Sequence, residues 1–133
     1  MVQSGKEGYD LPTIMIIEDD DLVLETTTEL LEIKGYEILG ATSGKAALAI
    51  LGDPGLPKIK LILLDLSLPD TNGIDLLPDL LAIEPQLKII ICSGTILDEE
   101  TTNKLARQGV KDFLPKPYNF QRLIDLVKEA LAD

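Results

Sequence analysis

Short continuous apolar runs alternate along the chain with stretches in which apolar residues recur at helical spacing. Ile14 to Ile17 and Leu61 to Leu64 are the clearest runs. Such runs suit strands covered on both faces, and their alternation with helices predicts a parallel sheet with helices on either side. The first strand is Ile14 to Ile17. The stripe Leu22, Val23, Leu30, Leu31 and Ile33 marks the helix after it, with Asp20 or Asp21 as N-cap and Gly35 at C′. Tyr36 to Ala41 reads as a second strand, and Ser43 caps a short Ala-rich helix to about Leu51. Gly52-Asp53-Pro54-Gly55 is a turn. Leu61 to Leu64 forms strand three, Ser67 to Gly73 a polar loop, and Ile74 to about Ile83 a helix. Strand four runs from Leu87 to Cys92, and Asp98 opens the next helix. Val110 to Leu114 is strand five, and Leu123, Leu126, Val127, Ala130 and Leu131 are the inward face of a last helix. The fold expected is α/β, five parallel strands and five helices.

Polar residues stand where these strand patterns stop. Glu18 and Asp19 follow the first, Asp65 the third, Ser93 the fourth and Lys116 the fifth. In an open parallel sheet the carboxyl ends of neighbouring strands converge on one crevice, so residues far apart in sequence become neighbours in space. Glu18 to Asp21 would equally suit the positive end of a helix dipole. Asp65 resists that explanation, because Pro69 intervenes before the next helix. A solvated loop acid is its plain alternative, as surface lysine is for Lys116.

Composition narrows the chemistry. The chain has 133 residues, room for one domain, and 45% of them are apolar. Residues 1–12, with two glycines and mixed charge, read as a flexible leader or linker, and 13–133 as the folded domain. If residues 1–12 are a linker, the chain was cut from something larger. Twelve Lys and Arg against 23 Asp and Glu give a net charge of −11, a field that repels phosphate backbones and anionic membranes. No nucleic acid is expected to bind this chain alone. One cysteine, Cys92, and no histidine exclude an internal disulfide and make zinc implausible. Cys92 itself reads as core. With no apolar stretch near the ~20 residues of a membrane span, a reducing, cytoplasmic setting without membrane contact is expected.

Glu18, Asp19 and Asp65 brought together would repel, by about 4 kcal/mol per pair at 4 Å and an effective dielectric of 20. A hard divalent cation relieves this. Mg²⁺ suits a site of one or two carboxylates with coordination left for a phosphoryl oxygen, and a shifted pKa is the alternative. A carboxylate beside such a cation can attack phosphorus, with a nearby ammonium screening the transferred charge. Lys116, between Pro115 and Pro117, is placed to do so, and a cis Lys116–Pro117 bond could turn it inward. Ser93 could donate its hydroxyl to the same group, with Gly94 leaving space.

In combination and in order, IMIIEDD, LILLDLSLPDTNG around Asp65, IICSG and DFLPKPY resemble the receiver domain of two-component response regulators, over Thr13 to Ala132. The resemblance implies a flavodoxin-like, doubly wound five-stranded sheet of order 2-1-3-4-5. It implies that Asp65 accepts a phosphoryl group from a phosphohistidine on a histidine kinase or histidine phosphotransfer protein. Asp19 and Asp65 would bind Mg²⁺ directly, Glu18 through water, and the Ser67 backbone carbonyl would be a further ligand. Ser93 would hydrogen-bond the phosphoryl oxygen, Lys116 would pair with it, and Ser93 and Phe113 would switch. Such a domain catalyses only its own phosphorylation and dephosphorylation. Ser67 and Thr95 hold positions that tune phosphoryl lifetime in the family. Phe113 brings no phenol to the switch. The fourth helix, fifth strand and fifth helix would form the face that docks a partner or a second copy as a homodimer. The IICSG and LPKPY segments resemble receivers of hybrid histidine kinases.

Two other classes compete. A haloacid dehalogenase-type phosphatase also uses an aspartate nucleophile with Mg²⁺, but needs a second acid two residues on, where this chain has Ser67. A flavodoxin-like cofactor binder needs a phosphate-cradling loop after strand one, where this chain has acid.

Overall fold

The computed structural model describes residues 11–132. The strands are β1 (Thr13–Ile17), β2 (Glu37–Ala41), β3 (Ile59–Asp65), β4 (Lys88–Ser93) and β5 (Val110–Pro115). The helices are α1 (Asp21–Ile33), α2 (Gly44–Leu51), α3 (Gly73–Ile83), α4 (Glu99–Arg107) and α5 (Phe120–Ala132). All sheet pairings are parallel, in the order β2-β1-β3-β4-β5. This is the expected architecture. The leader assigned to residues 1–12 lies, apart from Leu11 and Pro12, outside the described residues, as does Asp133.

Successive residues of a strand face opposite sides of the sheet, so each continuous apolar run supplies two cores. Met15, Ile17, Ile62, Leu64, Ile89 and Ile91 pack on the side covered by α2, α3 and α4, through residues such as Ala47, Leu77 and Leu105. Ile14, Ile16, Leu61, Leu63, Ile90 and Cys92 face α1 and α5, through Leu31, Leu123 and Val127. Cys92 is core, as expected, and burial pushes its thiol up to about 12.

Several boundaries move. β3 starts at Ile59 rather than Leu61: exposed Lys60 breaks the apolar pattern, yet the backbone pairs on to Thr13. Asp65 and Ser93 are the last residues of their strands rather than the first beyond them, and Pro115 closes β5. Helix α3 starts at Gly73, with the Asn72 side chain accepting from the Ile74 amide at 2.7 Å. Asp20, not Asp21, caps α1, accepting from the Leu22 and Val23 amides. Gly35 follows that helix at φ +97°, as a C′ residue does. Among the described residues no helix is long and apolar enough to cross a membrane.

Candidate functional site

The register of the sheet assembles the site. Ile17 pairs with Leu64, Asp65 with Cys92, and Ser93 with Pro115. Glu18 lies one step past Ile17, beside Asp65, Ser93 one step past Cys92, and Lys116 one step past Pro115, so the four stand in a row across four strand ends. Strand order reverses between β1 and β3, the place where an open α/β sheet opens a crevice. The Glu18 amide bonds the Ala41 carbonyl at 2.9 Å and the Lys116 amide the Ser93 carbonyl at 2.9 Å, so backbone bonds fix both ends of the row.

Lys116 Nζ lies 2.6 Å from Glu18 Oε1 and 3.1 Å from Asp65 Oδ2. Its peptide bond to Pro117 is cis. Glu18 is 1% exposed and Asp65 5%, so neither is a solvated loop acid. Glu18 Oε2 accepts the Asp20 amide at 3.1 Å, while Oε1, buried, has no bond of hydrogen-bonding geometry and is held by the lysine's charge. Burial raises the Glu18 carboxyl above the ordinary range, against the opposing pull of Lys116 and the Asp20 amide. For Lys116, burial alone would lower the pKa, but Glu18 and Asp65 outweigh it and hold the ammonium above its usual value.

One ammonium thus faces two buried carboxylates, and Asp19 adds a third, exposed acid beside them. Carboxylate oxygens of Glu18, Asp19 and Asp65 lie within 4.8 Å of one another. The excess negative charge and the all-oxygen donor set fit a hard divalent cation.

The loop after β3 is tightly folded around Asp65. The Ser67 amide donates to Asp65 Oδ1 at 3.2 Å, Ser67 pairs in antiparallel fashion with Asn72, and the Gly73 amide bonds the Leu66 carbonyl at 2.9 Å. A Cβ on Gly73 would come within 2.6 Å of the Asp65 carbonyl oxygen, so only glycine permits this return.

Ser93 stands at the rim of the site with its hydroxyl engaged in its own loop, donating to the Thr95 carbonyl and accepting the Thr95 amide, both at 3.0 Å. Phe113 is half-buried on β5 and packs on the core. Between them a cavity of about 530 Å³ is lined by Ile91, Ser93, Leu97, Phe113 and Lys116, among others. Glu18, Asp19, Asp65 and Lys116 are therefore gathered as their positions predicted, with Ser93 adjacent. Absent from the sequence reading was Asp70, whose carboxylate reaches the amides that open α2. Nothing in the polar loop distinguishes it from a solvated acid.

Known proteins carry the same frame. Residues 14–128 match the model of the response regulator receiver domain. A transcriptional regulatory protein of Bacillus subtilis, MalR, is 37% identical over 122 residues, covering 90% of this chain and 48% of that protein. The sensor kinase CckA of Brucella abortus is 33% identical over 119 residues, covering 90% of this chain and 12% of that protein. The chain thus spans about half, or much less, of the length of such relatives. Among solved structures, a CheY-like receiver domain from Methanospirillum hungatei superposes with a TM-score of 0.82 at 30% identity, covering 92% of this chain and 94% of that one. The chain belongs to the response regulator receiver domain family of two-component systems. A haloacid dehalogenase-type phosphatase is set aside.

Proposed function

We propose that this domain accepts a phosphoryl group on Asp65 from a phosphohistidine, in a Mg²⁺-dependent reaction, and that the modification switches a protein-interaction surface. The observation that carries this reading is the Lys116 ammonium set between buried Glu18 and Asp65, with Asp19 beside them. An Asp65 carboxylate oxygen attacks phosphorus, the P–N bond breaks, and its electron pair leaves on the imidazole nitrogen, which takes up a proton. The product is an acyl phosphate. Asp19, Asp65 and the Ser67 carbonyl would hold Mg²⁺ directly and Glu18 through water. The cation supplies charge withdrawal from the transferred group.

Lys116 pairs with the phosphoryl oxygens, and Ser93 turns from Thr95 to donate to one of them. Ser67 and Thr95, two residues beyond Asp65 and Ser93, tune the lifetime of the phosphoryl group. The donor is a histidine kinase or a histidine phosphotransfer protein. The domain, residues 13–133 behind a leader or linker of residues 1–12, serves in the cytoplasm. It catalyses no reaction but its own modification and its reversal. It carries the signal either as a regulator acting by contact or as the receiver of a hybrid kinase, and its charge of −11 keeps it off nucleic acid unaided.

The test is intact mass after incubation with a small phosphodonor and Mg²⁺. Wild type should gain one phosphoryl group, and Asp65→Asn should gain none at a comparable rate. Equal gain in the variant would remove Asp65 as the acceptor.

A further inference from the structure

The two loops that carry the acidic cluster are braced against each other by a residue outside it. Asp70 Oδ1 accepts the Gly44 amide at 2.8 Å, and Oδ2 accepts the Lys45 amide at 2.9 Å. Ser43 accepts the Ala46 amide at 3.1 Å, so side chains fill the first three free amides of α2, two of them from a loop 25 residues or more away. The approach is close: a Cβ on Gly44 would meet the Thr71 methyl at 2.6 Å. From Gly44 the chain runs back three residues to Ala41, whose carbonyl holds the Glu18 amide. Forward from Asp65, the chain runs through Ser67 to Asp70. Asp70 therefore closes a ring in which the β1 end, bearing Glu18 and Asp19, and the loop bearing Asp65 and Ser67 are fixed relative to one another beyond the last strand pairing.

We propose that Asp70 is a positioning residue for the metal site: it sets the separation of the Asp19 and Ser67 loops, and so the affinity for Mg²⁺, without touching the ion. This rests on the site reading given above. Carboxylates and carbonyls bind Mg²⁺ well only in near-ideal octahedral geometry at about 2.0–2.1 Å, so small loop displacements weaken it steeply. Outer partners that orient ligands typically change metal affinity by about 10–100-fold.

Calorimetric titration of MgCl₂ into wild type, Asp70→Ala, Asp70→Asn and Asp19→Asn, all at a temperature where each is folded, decides the matter. Asp70→Ala should bind Mg²⁺ about tenfold more weakly. Asp70→Asn, which keeps one acceptor oxygen, should fall between. Amide exchange at Gly44 and Lys45 should quicken in the same order. If wild type binds through Asp19 and Asp70→Ala binds within twofold of it while those amides quicken, Asp70 merely caps α2 and the inference is overturned. If wild type and Asp19→Asn bind equally or not at all, the metal-site reading itself falls, and the brace positions no ion.

Discussion

Glu18 and Lys116 respond to pH in ways that follow from their surroundings. The Glu18 carboxyl is raised by burial, so the native state holds that proton more tightly than the unfolded chain. A raised pKa contributes stability that is complete below the ordinary value, 4.5 here, and lost as pH rises through the native one. At neutral pH and without divalent metal, charged Glu18 therefore costs stability. Glu18→Gln should melt a few degrees above wild type at pH 7, and the gap should close as pH falls to 4.5. Lys116→Met is the opposite case, leaving two buried carboxylates with no ammonium. Breaking a buried pair in this way costs about 3–5 kcal/mol when the remaining charge stays ionised, and less where it takes up a proton. Its melting temperature should fall furthest at pH 8 and recover partly by pH 5. Thermal denaturation across pH checks both. Millimolar Mg²⁺ should in turn raise the melting temperature of wild type by mass action on the folded state. Asp19→Asn should lose that dependence, and an unchanged shift would strike Asp19 from the ligands.

At the scale of elements, α4 stands apart. Only Leu105 among its nine residues is buried, and its sequence EETTNKLAR is otherwise polar apart from Ala106. Its start relies on Asp98, whose side chain accepts the Thr101 amide at 2.7 Å. In Asp98→Ala, amide exchange over 99–107 should quicken several-fold while β1, β3 and β4 stay protected, because few buried contacts tie α4 to the global unfolding. Uniform acceleration would mean that α4 opens only with the whole domain. Elements of this kind were readable in the sequence wherever burial was one-sided or complete. Ile14 to Ile17 and Leu61 to Leu64 announced buried strands, and Ser43 and Asp98 announced helix starts. Ends were harder, since Lys60 is polar yet pairs in β3, and Asn72 caps α3 from inside a loop of similar residues. Strand-end polar residues located Glu18, Asp65, Ser93 and Lys116. The Asp70 brace was invisible because a side chain reaching backbone amides in another helix leaves no periodic trace.

Across the whole molecule, the two sides of the proposed switch meet at one point. Ser93 and Phe113 lie on the adjacent strands β4 and β5, which run on into α4 and α5, and the cavity of about 530 Å³ between them gives an aromatic room to repack. In the present state the Ser93 hydroxyl is spent on Thr95, so a phosphoryl group on Asp65 must offer it a better acceptor. A charged phosphoryl oxygen does, since hydrogen bonds to ions are roughly twice as strong as neutral ones. The energy needed is small: inverting a 1:99 population takes about 5.5 kcal/mol, and a partial shift less. Beryllofluoride with Mg²⁺, which mimics the acyl phosphate, should therefore move amide resonances throughout Thr95 to Tyr118, including residues of α4 and β5 remote from Asp65. Ser93→Ala should bind the mimic yet confine the changes to the loops after Asp19 and Asp65. Wild-type shifts confined to those loops would leave a domain that takes up phosphoryl groups without switching, and the signalling role would give way to that of a phosphate sink.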